Sequence, residues 1–119
     1  MQELKNRITQ EGKVLPGSII KVDGFLNHRV DTALLDHIAA EFGRRFRMEE
    51  VTVILTAEAS GIALAAIVAQ HFHKPMIFAK KAKSDNIEGG LYQSEIFSYT
   101  YKKKVTLLVS KEWLHAGDK

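Results

Sequence analysis

The sequence predicts an α/β fold built around one strand–helix–strand crossover. Residues 51–56 (VTVILT) are apolar and β-branched without alternation, as in a strand that is buried on both faces. Residues 61–72 form an alanine-rich apolar stretch of helical length, and Pro75 precedes a second apolar run, MIFAK. Because a crossover of this length makes its two strands parallel neighbours, a parallel sheet with a helix on its face is expected.

The first thirty residues are expected to hold one short helix and one pair of strands. The helix covers residues 2–11 and ends at Gly12, since glycine commonly follows the last helical turn. Two short apolar runs then flank the turn-forming pair Pro16-Gly17. This pattern predicts a strand–turn–strand or an extended segment.

A second helix is expected between this segment and the crossover. Asp31 is a favourable N-cap, and the helix should run to about Phe46. Several arginines near its end suit the negative end of the helix dipole. Apolar residues at helical spacing predict one buried face, formed by Leu34, Leu35, Ile38, Phe42 and Phe46.

The last third of the chain predicts a charged loop followed by an antiparallel hairpin. The run KKAKSDNIEGG has no periodicity, and LYQSEIFSYTY and VTLLVS are strand-like runs joined by a basic turn, residues 102–104. Only two parallel strands are evident, although parallel sheets normally have several, and the final HAGDK is typical of a turn that leads into another element. The chain is therefore expected to be incomplete.

Composition narrows the class of protein. The 119 residues are 45% hydrophobic and 26% charged, which is typical of a globular domain rather than a disordered chain. No cysteine occurs, so no disulfide is expected and a cytoplasmic location is favoured. The N-terminus lacks the apolar core of a signal peptide, and residues 59–70, the longest nearly uncharged run, are too few to span a bilayer. A net charge of +3 is compatible with an anionic ligand or nucleic acid and requires neither.

The junction between the first crossover strand and its helix is the main candidate site. In such units ligands bind beyond the carboxyl ends of the strands, where the next helix presents unpaired N–H groups and the positive end of its dipole. Ala59, Ser60 and Gly61 are small enough for an anion to approach the backbone. Gly61 can adopt strained dihedrals, and Ser60 can cap the helix or donate a hydrogen bond.

Glu58 does not suit an anion site directly, because its carboxylate would repel the ligand. It is expected either to accept hydrogen bonds that shape the loop or to face a cation. The alternative for the whole junction is an ordinary βα turn capped by Ser60. Neither of the glycine-rich phosphate-binding motifs, G-x-x-x-x-G-K-[ST] and G-x-G-x-x-G, occurs in the sequence.

Other chemistry-bearing patterns are weak. His71 and His73 are two residues apart and point to different faces of a helix, with no third ligand nearby, so no metal site is predicted. Ser60 lacks the G-x-S-x-G setting of an activated nucleophile, and no catalytic residue is assigned in this chain. Lys80, Lys81 and Lys83 could simply form a solvated basic patch.

Three segments together resemble a known family. IIKVDGFLNHRVD, EASGIA and IFAKKAKS occur in the order and at the spacing found in the bacterial xanthine phosphoribosyltransferases. These are type I phosphoribosyltransferases, in the lineage shared with adenine phosphoribosyltransferase, and the resemblance runs from about Leu4 to the end of the chain. It implies a parallel sheet flanked by helices, an N-terminal hood and a flexible hairpin lid. It also implies purine salvage, in which phosphoribosyl pyrophosphate (PRPP), accompanied by Mg²⁺, gives its phosphoribosyl group to N9 of xanthine.

The resemblance assigns roles to several of these residues. The Glu58–Gly61 segment corresponds to the pyrophosphate-binding loop. In the hood, residues 15–29, Ile20 falls on an aliphatic position against the purine and Asn27 on the polar position that reads its edge. Phe25 either stacks on the base or fills the hood's own small core, and Asn27 could instead be a turn residue that bonds to its own backbone.

The lysine-rich strand end and the hairpin also acquire roles from the resemblance. Lys81 is expected to reach the pyrophosphate in the partner subunit's site, which implies a homodimer. Residues 84–110 correspond to the lid that excludes water, and the segment fits mobility at Asn86, Ile87, Gly89 and Gly90. The chain is thus divided into a hood region (about 1–30), a core (31–83) and a lid (84–110) of one domain.

One diagnostic feature of the family is absent from the chain. A strand ending in two acidic residues, followed by a small-residue loop that cradles the ribose 5-phosphate, should follow a turn such as AGDK. The resemblance therefore implies an N-terminal portion of an enzyme, inactive by itself. The alternatives are guanine–hypoxanthine or adenine transfer, and a purine-sensing transcriptional regulator of the same fold. The regulator would need a helix–turn–helix, for which the residues before the hood are too few, so no nucleic acid is expected as a partner. No membrane is expected as a partner either, because the longest nearly uncharged run is too short to span a bilayer.

Overall fold

The computed structural model describes residues 1–82, 90–98 and 102–119. Within these residues no helix is long and apolar enough to cross a bilayer. The chain forms, in order, α1 (Gln2–Glu11), β1 (Lys13–Leu15), β2 (Ile19–Lys21), a π-helical turn (Asp23–Asn27), α2 (Thr32–Arg45), β3 (Ile54–Ala57), α3 (Gly61–His71), β4 (Met76–Ala82), β5 (Leu91–Ser98) and β6 (Lys103–Ser110).

The predicted strand–helix–strand crossover is confirmed. β3 and β4 are parallel neighbours, and α3 connects them. The first strand is shorter than the predicted residues 51–56 and begins at Ile54. The amides of Thr52 and Val53 instead donate to the carbonyl of Lys119 at 2.8 and 3.4 Å, so this part of the chain pairs with the C-terminal residues.

The predicted hairpin is also confirmed, and it is continuous with the crossover. β5 and β6 pair antiparallel along their whole length, and β6 pairs antiparallel with the end of β4. The result is a mixed four-stranded sheet of order β3-β4-β6-β5 rather than a purely parallel one. The predicted basic turn is wrong for Lys103 and Lys104, which begin β6. Asn86, Ile87 and Gly89 of the predicted mobile segment lie outside the described residues.

Three predictions for the first part of the chain are confirmed: the pair of hood strands, the end of α1 before Gly12 and the start of α2 after Asp31. β1 and β2 form a separate two-stranded antiparallel sheet, with Gly17 and Ser18 in the left-handed region (φ 84° and 59°) between them. Gly12 follows the last residue of α1. Asp31 caps α2, because its Oδ1 accepts a hydrogen bond of 3.1 Å from the amide of Leu34.

The core lies between α2, α3 and β3. Ala39, Met48 and Val68 are its buried centre, and Phe42 and Ile54 are among the partly buried residues packed around them. The predicted buried face of α2 is confirmed for Leu34 and Leu35, which are fully buried. It is wrong for Phe46, which is 57% exposed, because α2 ends at Arg45 and Phe46 leaves the helical face.

One flank of the sheet is open. Leu55 in β3 is 51% exposed, so the prediction of a strand buried on both faces is wrong for the described chain. The radius of gyration is 16.2 Å, against about 13.5 Å for a compact domain of this length. The molecule measures 47 × 38 × 20 Å and is therefore flat. An apolar groove of about 410 Å³ borders β3, and its lining includes Phe46, Leu55 and Leu64.

Shortening the side chain of Leu35 should lower stability more than shortening that of Phe46, because Leu35 is buried and Phe46 is mostly exposed. Leu35 is 0% exposed, so Leu35→Ala is expected to lower the free energy of unfolding by about 2–5 kcal/mol through the lost contacts and the cavity. Phe46→Ala removes a larger but mostly exposed side chain and should cost less than about 1 kcal/mol. Urea denaturation followed by circular dichroism measures both values. Equal losses in the two variants would contradict this account of the core.

Candidate functional site

The candidate site lies where β3 ends and α3 begins. β3 ends at Ala57 and α3 begins at Gly61, so residues 58–60 form the connection at the carboxyl end of a parallel strand. An eleven-residue helix follows. The first amides of a helix have no acceptor within it, and here the amide of Ile62 donates to the carbonyl of Ala59 in the loop at 3.2 Å. The junction predicted from the sequence is therefore present, whereas the binding roles of its residues stay predictions.

Glu58 ties this loop to the neighbouring strand. Its Oε1 accepts a hydrogen bond of 2.6 Å from the main-chain amide of Lys81, and its own amide donates to the carbonyl of Ala79 at 3.0 Å. Of the two roles expected for Glu58, the shaping of the loop is the one observed. The peptide bond between Glu58 and Ala59 is cis.

Gly61 is needed for a reason other than the one expected from the sequence. Among the described glycines, only Gly17, Gly90 and Gly117 have φ in the left-handed region, so the expectation of strained dihedrals at Gly61 is wrong. A Cβ atom at Gly61 would instead collide with Oγ1 of Thr56. Glycine therefore lets the start of α3 approach β3 closely. The sequence did not predict this role of Thr56. The one signal for it was its position five residues before Gly61.

Ser60 stands at the N-cap position of α3 without capping it. Its side chain accepts no hydrogen bond from the first turn, so the predicted capping is wrong. The backbone of Ser60 is already helical (φ −66°, ψ −23°), whereas a capping residue usually has extended dihedrals that turn its oxygen towards the helix amides. Ser60 and Ala59 are both exposed, which leaves their side of the loop accessible to a ligand.

Two of the three candidate lysines are close to the loop along β4. The main-chain amide of Lys81 is bound by Glu58, and Nζ of Lys80 lies 5.9 Å from the centre of the Phe78 ring. Successive residues of a strand point to opposite faces of a sheet, so the two lysine side chains diverge. Lys83 lies outside the described residues.

Two of the hood residues predicted to contact the base, Ile20 and Asn27, are exposed, whereas Phe25 is buried. Ile20 is 55% exposed in β2. Asn27 is exposed at the end of the π-helical turn, and its side-chain amide forms no hydrogen bond with the described part of the chain, so the alternative of a self-bonded turn residue is not observed. Phe25 is 1% exposed and fills the hood's core, so its stacking on a base is ruled out.

Within the residues that the structure describes, the hood and the Glu58–Gly61 loop are not directly linked. β1 and β2 belong to a different sheet from β3, and no hydrogen bond between described residues links Ile20 or Asn27 with residues 58–61. A ligand in contact with both regions would have to bridge them. Within the described residues, no group of three or more histidine, aspartate or glutamate side chains could hold a metal ion.

The curated proteins that are similar to this chain in sequence share one name. No family model matches the chain. Over all 119 residues the chain is 50% identical to a xanthine phosphoribosyltransferase from Lachnoclostridium phytofermentans, and over 120 aligned positions it is 47% identical to one from Bifidobacterium animalis subsp. lactis. The alignments cover 100% of this chain but 61% and 62% of those relatives, so the chain spans about three fifths of their length.

Solved structures identify the fold. The adenine phosphoribosyltransferase of Giardia lamblia, in complex with 9-deazaadenine, superposes with a TM-score of 0.69 at 21% identity, covering 93% of this chain and 61% of that one. The adenine phosphoribosyltransferase of Saccharomyces cerevisiae gives a TM-score of 0.68 at 13% identity, covering 99% and 69%. The predicted fold class, that of the type I phosphoribosyltransferases, is confirmed.

Adding a methyl group at Gly61 should test the close approach of α3 to β3. Gly61→Ala is expected to lower stability by about 1–3 kcal/mol, because the new Cβ meets Oγ1 of Thr56. Thr56→Ala in the same chain removes that atom and should restore part of the loss, which a double-mutant cycle by urea denaturation measures. Gly24→Ala is the matched control, since a Cβ at Gly24 has no atom within 4 Å. Additive effects of the two substitutions would refute the proposed collision.

Removal of the Glu58 carboxylate should release the Lys81 amide. In Glu58→Ala, hydrogen exchange at the Lys81 amide is expected to accelerate, because the 2.6 Å acceptor is lost. Glu58→Gln keeps an acceptor oxygen and should leave the exchange rate nearer that of the unmodified chain. Amide-resolved exchange by NMR measures both rates. If Glu58→Ala leaves the Lys81 amide as protected as before, the carboxylate does not hold the loop.

Proposed function

Because the chain has the type I phosphoribosyltransferase fold and is similar over its whole length to xanthine phosphoribosyltransferases, we propose that it supplies the base-binding hood and the pyrophosphate loop of such an enzyme. The enzyme transfers the phosphoribosyl group of PRPP to N9 of xanthine, giving xanthosine monophosphate and pyrophosphate. The observation that carries this proposal is the 50% identity over all 119 residues. The geometry of the Glu58–Gly61 loop supports it independently.

The loop is suited to the leaving group of this reaction. The bond from C1 of the ribose to pyrophosphate breaks through an oxocarbenium-like state, and negative charge grows on the departing oxygens. Amides at the start of α3 can stabilise that charge, and a single lost donor of this kind costs about 3 kcal/mol of barrier. The hydrogen bond from Lys81 to Glu58 holds the loop before the ligand arrives, so its amides need little reorganisation.

The hood is suited to an oxo-purine. The exposed amide of Asn27 offers one donor group and one acceptor, and a purine with oxo groups presents both kinds of partner along its edge. Ile20, 55% exposed, offers an apolar surface against the base. Because neither group is engaged within the described chain, both can contact a ligand without first breaking a hydrogen bond.

Further parts of the proposal follow from the resemblance. Mg²⁺ would accompany PRPP and offset the charge of its diphosphate. Lys81 would act at the partner subunit's pyrophosphate in a homodimer, and residues 84–110 would form the lid over the reacting centre. A chain without cysteine suits the cytoplasm.

Xanthine is the proposed base because the two curated relatives described above, 50% and 47% identical to this chain, carry that name. The adenine phosphoribosyltransferases among the solved structures are 13–21% identical, which speaks for the shared fold alone. Competition among xanthine, guanine and adenine for the chain measures the preference directly. Binding of adenine in preference to xanthine would transfer the proposal to the adenine enzymes.

Ligand titration of the isotope-labelled chain tests the proposal. Pyrophosphate is expected to shift the amide signals of residues 60–62, and xanthine those of Ile20 and Asn27. Ser60→Asp adds a negative charge at the helix start and should weaken pyrophosphate binding about tenfold or more. Ala66→Asp, at an exposed position further along α3, is the matched control and should have little effect.

The same samples test the remaining expectations. With xanthine, PRPP and Mg²⁺, no xanthosine monophosphate is expected from this chain alone, and light scattering should report a dimer. Formation of the product would overturn the predicted inactivity while supporting the reaction. Pyrophosphate shifts confined to residues away from the Glu58–Gly61 loop would refute its assignment.

A further inference from the structure

We propose that Arg7, on α1, is a positioning residue that fixes the orientation of Asn27 in the hood. This inference rests on the proposed function, since it assigns Arg7 to the same base-reading turn. Arg7 has no predicted contact with a ligand, and the sequence alone did not single it out.

Arg7 contacts three elements at once. Its guanidinium lies over the ring of Phe25, with Cζ 5.3 Å from the ring centre, and its Nη1 donates to Oδ2 of Asp31 at 3.0 Å. On α1 itself, Nε lies 2.7 Å from Oε1 of Glu11, and Nη2 donates to Oε2 of the same carboxylate at 3.5 Å. The side chain of Arg7 is 28% exposed, so solvent screens these contacts only in part.

The two hood contacts of Arg7 lie on either side of Asn27 in the chain. Phe25 precedes Asn27 by two residues, and Asp31 follows it by four. The amide of Asp31 also donates to the carbonyl of Phe25 at 3.0 Å, which closes the segment into a loop. Arg7 therefore holds both ends of the segment that carries Asn27, while Asn27 itself stays exposed.

Asp31 extends this arrangement to α2. One of its carboxylate oxygens accepts from Arg7, and the other accepts from the amide of Leu34 in the first turn of α2. The hydrogen bond from Leu34, opposed by desolvation and aided by Arg7, lowers the pKa of Asp31 below its usual range. Like an ordinary aspartate, the carboxylate is ionised at neutral pH, and its two oxygens bind the two donors at once.

Arginine is the side chain that can make these contacts together. Its planar guanidinium stacks on an aromatic ring and presents several donors in one plane, whereas the ammonium of lysine is a compact charge. In Arg7→Lys the charge remains near Asp31, but the flat contact with Phe25 is lost. In Arg7→Met the apolar stem remains, and the ion pair is lost.

The test compares base selectivity in Arg7→Met, Arg7→Lys and a matched control. The control Arg45→Met removes a similar ion pair on α2, in which Nη2 of Arg45 lies 2.7 Å from Oε1 of Glu41, four residues earlier. Calorimetric titration with xanthine and with hypoxanthine, which lacks one oxo group, measures selectivity. Exchange at the amides of Arg29 and Asp31 reports the order of the turn.

Arg7→Met is expected to weaken xanthine binding about tenfold, to weaken hypoxanthine binding less and to accelerate exchange at both amides. Arg7→Lys should lie between Arg7→Met and the unmodified chain, and Arg45→Met should match the unmodified chain. Equal losses of affinity for the two bases would show that Arg7 supports the fold without positioning Asn27, which would overturn the proposal. Unchanged affinity for both bases would also overturn it. If Arg7→Met does not fold, Arg7→Lys decides by the same criteria.

The exchange rates separate this inference from the proposed function. If the unmodified chain binds no xanthine, the proposed function fails. In that case accelerated exchange in Arg7→Met still supports control of the turn by Arg7, and unchanged exchange overturns it.

Discussion

The hydrogen bond from the Lys81 amide to the Glu58 carboxylate is the constraint on which the candidate site depends. It joins the loop after β3 to β4 across 23 residues of sequence, at 2.6 Å. A carboxylate next to a helix N-terminus would ordinarily compete with an anionic ligand for the same amides. Because Glu58 is engaged with the neighbouring strand, its oxygen shapes the loop while the start of α3 stays accessible. The absence of a side chain at Gly61 completes this geometry by letting α3 approach Thr56.

The hood uses a second charged residue for a similar purpose. Arg7 binds Phe25 and Asp31 and leaves Asn27 exposed between them, just as Glu58 binds β4 and leaves Ser60 exposed. In both regions a charged side chain makes the supporting contact, and a neighbouring uncharged residue stays exposed. The supporting contacts do not use the side chains of Asn27 and Ser60, for which ligand contacts are proposed, so ligand binding there would leave these contacts in place.

Much of the fold was accessible from local patterns, whereas the details of the site depend on contacts between distant residues. The crossover, the N-cap at Asp31 and the two hairpins follow from periodicity and turn residues, and the structure contains them. The pairing of β6 with β4 could not be read from the sequence, because register depends on how two remote strands meet. The reason for glycine at Gly61 lies in Thr56, and the missing cap at Ser60 lies in its helical dihedrals, neither of which composition reveals.

The open flank of β3 has a practical consequence for handling the chain. Among described strands β3 has a single neighbour, β4, and beside it lie the half-exposed Leu55 and an apolar groove. Main-chain groups left unpaired at such a margin can pair with strands from other molecules. Self-association through this margin would grow with concentration and with kosmotropic salt, so dilute samples of low ionic strength suit purification.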